Sequence, residues 1–151
     1  MNHGDRFRIN IPIEKYLMSQ MKDKYLFVEQ DFVGHSGDEL HWKIECDALF
    51  PSEWKCIARM IMEYEKRPFQ AAIGIPRGGV ELGRWLNEYS TGNPDHPYLI
   101  VDDVLTTGGS MNDFREEHFK EKKSFGWVAF ARKKPHSWVN ALFQMPNYEI
   151  Y

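Results

Sequence analysis

The feature that most constrains this chain is a pattern that occurs twice: a short unbroken apolar run ends in a glycine-bearing loop, and a segment of helical period departs from that loop. AAIGI (Ala71 to Ile75) runs into PRGG, after which Val80, Leu82, Trp85, Leu86 and Tyr89 follow at helix-like spacing. YLIV (Tyr98 to Val101) runs into DDVLTTGG, and Ser110 stands where it could cap a helix extending through the KEKK segment. WVAFA (Trp127 to Ala131) is a third run. Apolar runs without alternation suit strands buried on both faces, and helices between them make those strands parallel. The expected class is therefore α/β, a parallel sheet flanked by helices.

The N-terminal third has a different texture. Ile13, Tyr16, Leu17 and Met21 recur at helical spacing. YLFVEQDFV, the turn HSGD, and the alternating Leu40, Trp42, Ile44 and Cys46 predict an antiparallel hairpin with one buried face. Pro51 suits a first helical turn, Trp54, Ile57, Ala58, Ile61 and Met62 form an apolar stripe, and Pro68 stops the helix near Arg67. With no repeat or linker in view, residues 1–151 are read as a single domain with its core at about 51–135 and the hairpin as an attachment. The segment from Pro135 onward is too mixed to place.

Composition narrows the function. Nineteen Lys plus Arg against 22 Asp plus Glu leave a net charge of −3, which offers no basic footprint for a nucleic-acid polymer. No window reaches the ~18 consecutive apolar residues of a spanning helix. The start lacks the apolar stretch of a secretory signal, and Cys46 and Cys56 make no disulfide framework, so a soluble, cytoplasmic protein is expected. Zinc spacing, GxSxG, Walker A and GxGxxG are all missing from the sequence.

Ligands of open α/β sheets bind beyond the carboxyl ends of the strands, where both glycine loops lie. In the second loop, Thr106, Thr107, Gly108, Gly109 and Ser110 supply hydroxyls, close backbone approach and a helix N-terminus, which suit a phosphate. Asp102 and Asp103 would repel that phosphate but suit hydroxyl donors or a cation a few ångströms away. A phosphorylated sugar satisfies both halves.

YLIVDDVLTTGGS (Tyr98 to Ser110) resembles the 5-phosphoribosyl-1-pyrophosphate (PRPP) motif of type I phosphoribosyltransferases, and the upstream loop Ile75, Pro76, Arg77, Gly78, Gly79 is similar to that family's pyrophosphate loop. The resemblance covers about residues 70 to 135. It implies that Asp102 and Asp103 hold the ribose hydroxyls as the catalytic pair, that Thr106 to Ser110 bind the 5′-phosphate, and that Pro76, Arg77, Gly78 and Gly79 bind pyrophosphate. It further implies Mg²⁺ carried with PRPP near the two acids, a nucleobase as second substrate, and a homodimer. Arg77 either assists pyrophosphate directly or pairs with a surface acid. HSGDELHWKIECDAL is similar to a segment of orotate transferases, whereas Lys134 before Pro135 resembles the purine-contacting Lys-Pro of xanthine–guanine and hypoxanthine enzymes, with Trp138 or Phe143 as the stacking aromatic. The alternative for these three is a solvated lysine beside core aromatics, and the base stays open between orotate and a purine.

One departure bears on mechanism. The family has a further strand and a mobile lid after the pyrophosphate-loop helix, but here only Tyr89 to Pro97 separate that helix from the strand bearing the acids. A strand with a lid cannot fit in that connection. Two functions follow: a nucleobase phosphoribosyltransferase, or a non-catalytic domain of the same fold that binds PRPP or a nucleotide.

Overall fold

The computed structural model describes residues 25–33, 37 and 39–146; the expected helix around Ile13 to Met21 and most of the HSGD turn lie outside them. Strands β1 (Phe27–Val33) and β2 (Glu39–Ile44) form the antiparallel hairpin, and Cys46 falls in a 3-10 turn after it. Helix α1 spans Pro51–Tyr64, β3 Ala71–Gly74, α2 Val80–Leu86, β4 Tyr98–Leu105, α3 Gly109–His118, β5 Ser124–Ala131 and β6 Val139–Gln144. The last four strands make one sheet of order β3-β4-β5-β6, parallel throughout. Among the described residues no helix is long and apolar enough to cross a membrane.

Both sheet faces are covered, as the continuous apolar runs require. Leu99, Val101, Phe125, Trp127 and Ala129 face one way and pack with Trp54, Ile57 and Ile61 of α1 and Leu82 and Leu86 of α2. Ile100 and Val128 face the other way, with Met111 and Phe114 of α3. Fully burying side chains of this size stabilises by about 1.5–3 kcal/mol each, so these two layers hold the sheet between them.

Several boundaries differ from the sequence expectation for local reasons. Helix α1 ends at Tyr64 instead of running toward Arg67, because the next residue is extended and its Glu65 carboxylate turns inward to accept hydrogen bonds from Arg67 (2.6 Å) and the Trp127 indole (3.3 Å). Helix α3 starts at Gly109 with no side-chain cap and stops at His118, short of the KEKK segment, where Phe119 tucks its ring against Tyr98 and Phe114. Strand β4 runs through both acids to Leu105, paired with β5 as far as Ala131, whereas β3 stops at Gly74 opposite Val101. The overhang opens a crevice beside Asp102 and Asp103.

The short connection after α2 has a structural counterpart. Among the described strands β3 is an edge, and one side chain bonds its outer border: Asn87 accepts from the Ala72 N–H (2.8 Å) and donates to the Ala72 carbonyl (2.6 Å) and the Gly83 carbonyl (3.1 Å). The backbone continues the seal, Thr91 N–H donating to the Phe69 carbonyl (2.8 Å) and Gly92 N–H to that of Gln70 (3.1 Å). Asn87→Ala leaves both Ala72 groups without that partner, so thermal unfolding is expected to show a loss of about 1–2 kcal/mol. Asn87→Asp is expected not to restore it, since a carboxylate cannot donate to the carbonyl; an unchanged melting temperature for Asn87→Ala would contradict the seal.

Candidate functional site

The site begins with backbone that packs unusually close. A Cβ at Gly79 would lie 2.5 Å from the Val101 carbonyl oxygen and 2.8 Å from the Ile75 nitrogen, and one at Gly78 would collide with the Asp103 carboxylate. Gly83 sits equally close to Gly74, 2.7 Å from Cβ position to backbone nitrogen, so α2 lies directly on β3. Glycine is required at these positions by contact, and the result is that the first loop lies against the acid pair. The Pro76–Arg77 peptide bond is cis.

A cavity of about 390 Å³ opens there. Of the residues singled out from the sequence, Pro76, Gly78, Asp102, Asp103, Thr106, Thr107, Gly108 and Ser110 line it together. Arg77 lines an adjoining hollow that shares Gly78 and Asp103 and also includes Cys46 and Glu81. Gly79 is packed against β4, and Gly109 is the first residue of α3. The three base-side candidates are not brought to this cavity. Lys134 is exposed on the β5–β6 connection, Phe143 stacks on Phe130 (5.3 Å) beside an apolar hollow that includes Leu49 and Ile57, and the Trp138 indole donates to Asn112 (3.0 Å) on α3.

What sequence reasoning missed is the other side of the cavity. The hairpin folds over the carboxyl end of the sheet and contributes Phe32, Leu40, Lys43 and Ile44, and Arg132 stands directly after β5. Arg132 is buried, with its guanidinium 3.8 Å from the Trp42 ring centre and bonded to the Trp42 carbonyl, while its N–H donates to the Leu105 carbonyl (2.8 Å). The strand-end rule that points to the acids applies equally to Arg132, the first residue after β5.

The acids are held by their own backbone. Asp102 accepts the Asp103 N–H (2.9 Å) and Asp103 the Val104 N–H (2.7 Å). Burial, and then the charge of Asp103, push the Asp102 carboxyl up to about 8. The Cys46 thiol is raised well beyond its ordinary range, chiefly by burial and then by the two aspartates, which makes it inert as a nucleophile.

Among solved structures the chain is similar to orotate phosphoribosyltransferase from Aeropyrum pernix, with a TM-score of 0.65 at 17% identity over 89% of this chain and 94% of that one. It is similar also to UMP synthase from Leishmania donovani, at 0.65 and 14% over 89% of this chain but 37% of that chain. Orotate phosphoribosyltransferase from Mycobacterium tuberculosis gives 0.57 and 12% over 86% and 93%. At these identities the likeness carries the fold, a type I phosphoribosyltransferase-like sheet with the hairpin attached. No protein-family profile and no curated protein matches the sequence.

The raised Asp102 carboxyl makes stability depend on pH with a definite sign. Between its ordinary 3.8 and about 8 the folded chain keeps a proton that the unfolded chain has released, so this group destabilises the fold progressively as pH rises through that window. Asp102→Asn removes the effect. Its melting temperature is expected to match the wild type near pH 4 and to exceed it at pH 8, and equal values at pH 8 would contradict the burial of this charge.

Proposed function

We propose that this chain is a PRPP-dependent phosphoribosyltransferase that joins a nucleobase to ribose 5-phosphate and releases pyrophosphate, in nucleotide synthesis or salvage. The observation that carries the reading is the convergence of two separate loop segments, residues 76–79 and the contiguous acid pair and threonine–glycine turn at 102–110, on one cavity at the carboxyl end of a parallel sheet. In this reading the Thr106 to Ser110 loop takes the 5′-phosphate, Asp102 and Asp103 accept the ribose hydroxyls, and the Pro76 to Gly79 loop faces the pyrophosphate. The C1–oxygen bond breaks with its electron pair leaving on pyrophosphate, the base nitrogen forms the new C1–N bond, and a proton on that nitrogen passes to solvent. No nucleophilic side chain is needed. The protein positions the reactants, and Asp102 and Asp103 stabilise positive charge developing on the ribose.

Among the described residues no group of three or more His, Cys, Asp or Glu side chains is placed to hold a metal. The acid pair fits Mg²⁺ only as a hard cation arriving with the ligand's phosphate and ribose oxygens. Bound in that way it neutralises charge on the leaving pyrophosphate.

The base end favours one side of the question left open by the sequence. Phe32, Leu40 and Ile44 give an apolar roof, and Lys43 and Arg132 give positive charge. A flat base with an anionic or carbonyl edge suits that lining, and orotate, the substrate named for several similar structures, is such a base. The second reading, a PRPP- or nucleotide-binding domain without catalysis, is favoured by the connection between α2 and β4, which holds one 3-10 turn and no strand. A lid excludes water and tightens contacts in the transition state.

Two measurements separate these. Pyrophosphate release from PRPP with Mg²⁺ is expected to depend on orotate more than on purines, and Arg132→Gln is expected to lower it by about tenfold or more with PRPP affinity little changed. PRPP binding without release under any base moves the assignment to the binding domain. Asp102→Asn with Asp103→Asn is expected to weaken PRPP binding by at least about tenfold in calorimetry with the fold intact, and unchanged affinity would remove the acids from the site.

A further inference from the structure

The loop read as the 5′-phosphate site is braced from outside by three side chains. The Trp138 indole N–H donates to Asn112 Oδ1 at 3.0 Å, and Asn112 Nδ2 lies 2.9 Å from His136 Nε2. An indole nitrogen can only donate, so the Asn112 oxygen must face Trp138 and its NH₂ must face the imidazole. His136 Nε2 is therefore the acceptor, and a neutral ring whose Nε2 is bare carries its proton on Nδ1.

That same ring edge rests on the loop. A Cβ at Gly108 would lie 2.7 Å from His136 Nε2 and 2.9 Å from its Cδ2, and Gly108 has a left-handed φ of +89°. Its carbonyl accepts the Asn112 N–H at 3.2 Å, the first bond of α3. The contacts thus close on themselves, from Gly108 to Asn112 through backbone, from Asn112 to His136 through the amide, and from His136 back to Gly108 by packing. Trp138 is fixed in turn, with the Arg115 guanidinium 4.4 Å from its ring centre, its carbonyl accepting the Gly126 N–H (2.8 Å), and Gly126 leaving room for its ring.

We propose that His136 is a positioning residue for this loop: as the neutral Nδ1–H tautomer it accepts the Asn112 amide and holds its ring against Gly108, presetting the backbone amides that receive the phosphate. The functional half of this inference rests on the phosphate-site reading above, whereas the ring tautomer stands on the hydrogen bonds alone. A preset loop loses less freedom when an anion binds, which is where the affinity arises.

Nitrogen-15 spectra of the imidazole at pH 8 are expected to show Nδ1 protonated and Nε2 bare. Asn112→Asp, whose carboxylate can only accept, is expected to move the proton to Nε2. In PRPP titrations with Mg²⁺, His136→Ala is expected to bind about tenfold more weakly, and His136→Gln, whose amide oxygen can accept the same N–H, to stay within about threefold of wild type. A wild-type ring with its proton on Nε2 would overturn the proposal, as would His136→Ala binding like wild type or both variants weakened alike. If the wild-type protein itself takes up no PRPP, the phosphate-site reading falls and the tautomer alone decides the brace.

Discussion

Everything at the carboxyl end of the sheet depends on how closely the backbone of residues 74–79 lies against β4. With Gly79 at van der Waals contact with Val101 and Ile75, and Gly78 against Asp103, no side chain fits between loop and strand. One contact sets three things. It seats α2 on β3, it brings the first loop to the acid pair, and it leaves the acids in a crevice that β3 ends too early to fill. A loop held a few ångströms further away would admit water between the acids and the backbone, and the burial that perturbs Asp102 would be lost.

That burial opposes a second feature. Two adjacent carboxylates in a crevice are mutually unfavourable, and of the basic side chains that line the same cavity, Lys43 pairs with Glu45 (3.7 Å) and Arg132 is engaged by Trp42. The Arg132 guanidinium stacks on Trp42 and bonds its carbonyl, so that side chain ties the hairpin to the sheet. A carboxyl whose proton affinity is raised by burial and by a like-charged neighbour in a cleft is a common arrangement at functional sites.

The sequence made the centre of the fold legible and left its periphery dark, for reasons that lie in the range of the interactions. Runs such as YLIV and WVAFA are apolar because both of their faces are covered, and the loops after them have few ways to fold, so strand, loop and helix could be read in order. The acids and the threonine–glycine turn were legible because they are contiguous. Arg132 was not, because its burial comes from Trp42, ninety positions away, and nothing local distinguishes it from Lys133 and Lys134. Strand β6 was missed because VNALFQ lies at a sheet edge with mixed exposure and carries neither a clean alternation nor a continuous apolar run. The resemblance leaves Trp138 and Phe143 open between a stacking role and the core, because their positions depend on which side of β5 the returning chain passes. Asn87 carries no local signal, since its partner Ala72 lies fifteen positions away.

That asparagine also governs how the molecule meets copies of itself. A strand at the border of a sheet exposes a row of donors and acceptors to which any extended chain can add, and proteins protect such borders with charges, prolines or covering loops. Strand β3 is short, its second residue is occupied on both hydrogen-bonding groups by the Asn87 side chain, and the residues just before it, Phe69 and Gln70, are bonded by Thr91 and Gly92. The short connection between α2 and β4 thus covers this border, and an extended chain adding to β3 would first have to displace Asn87 from Ala72.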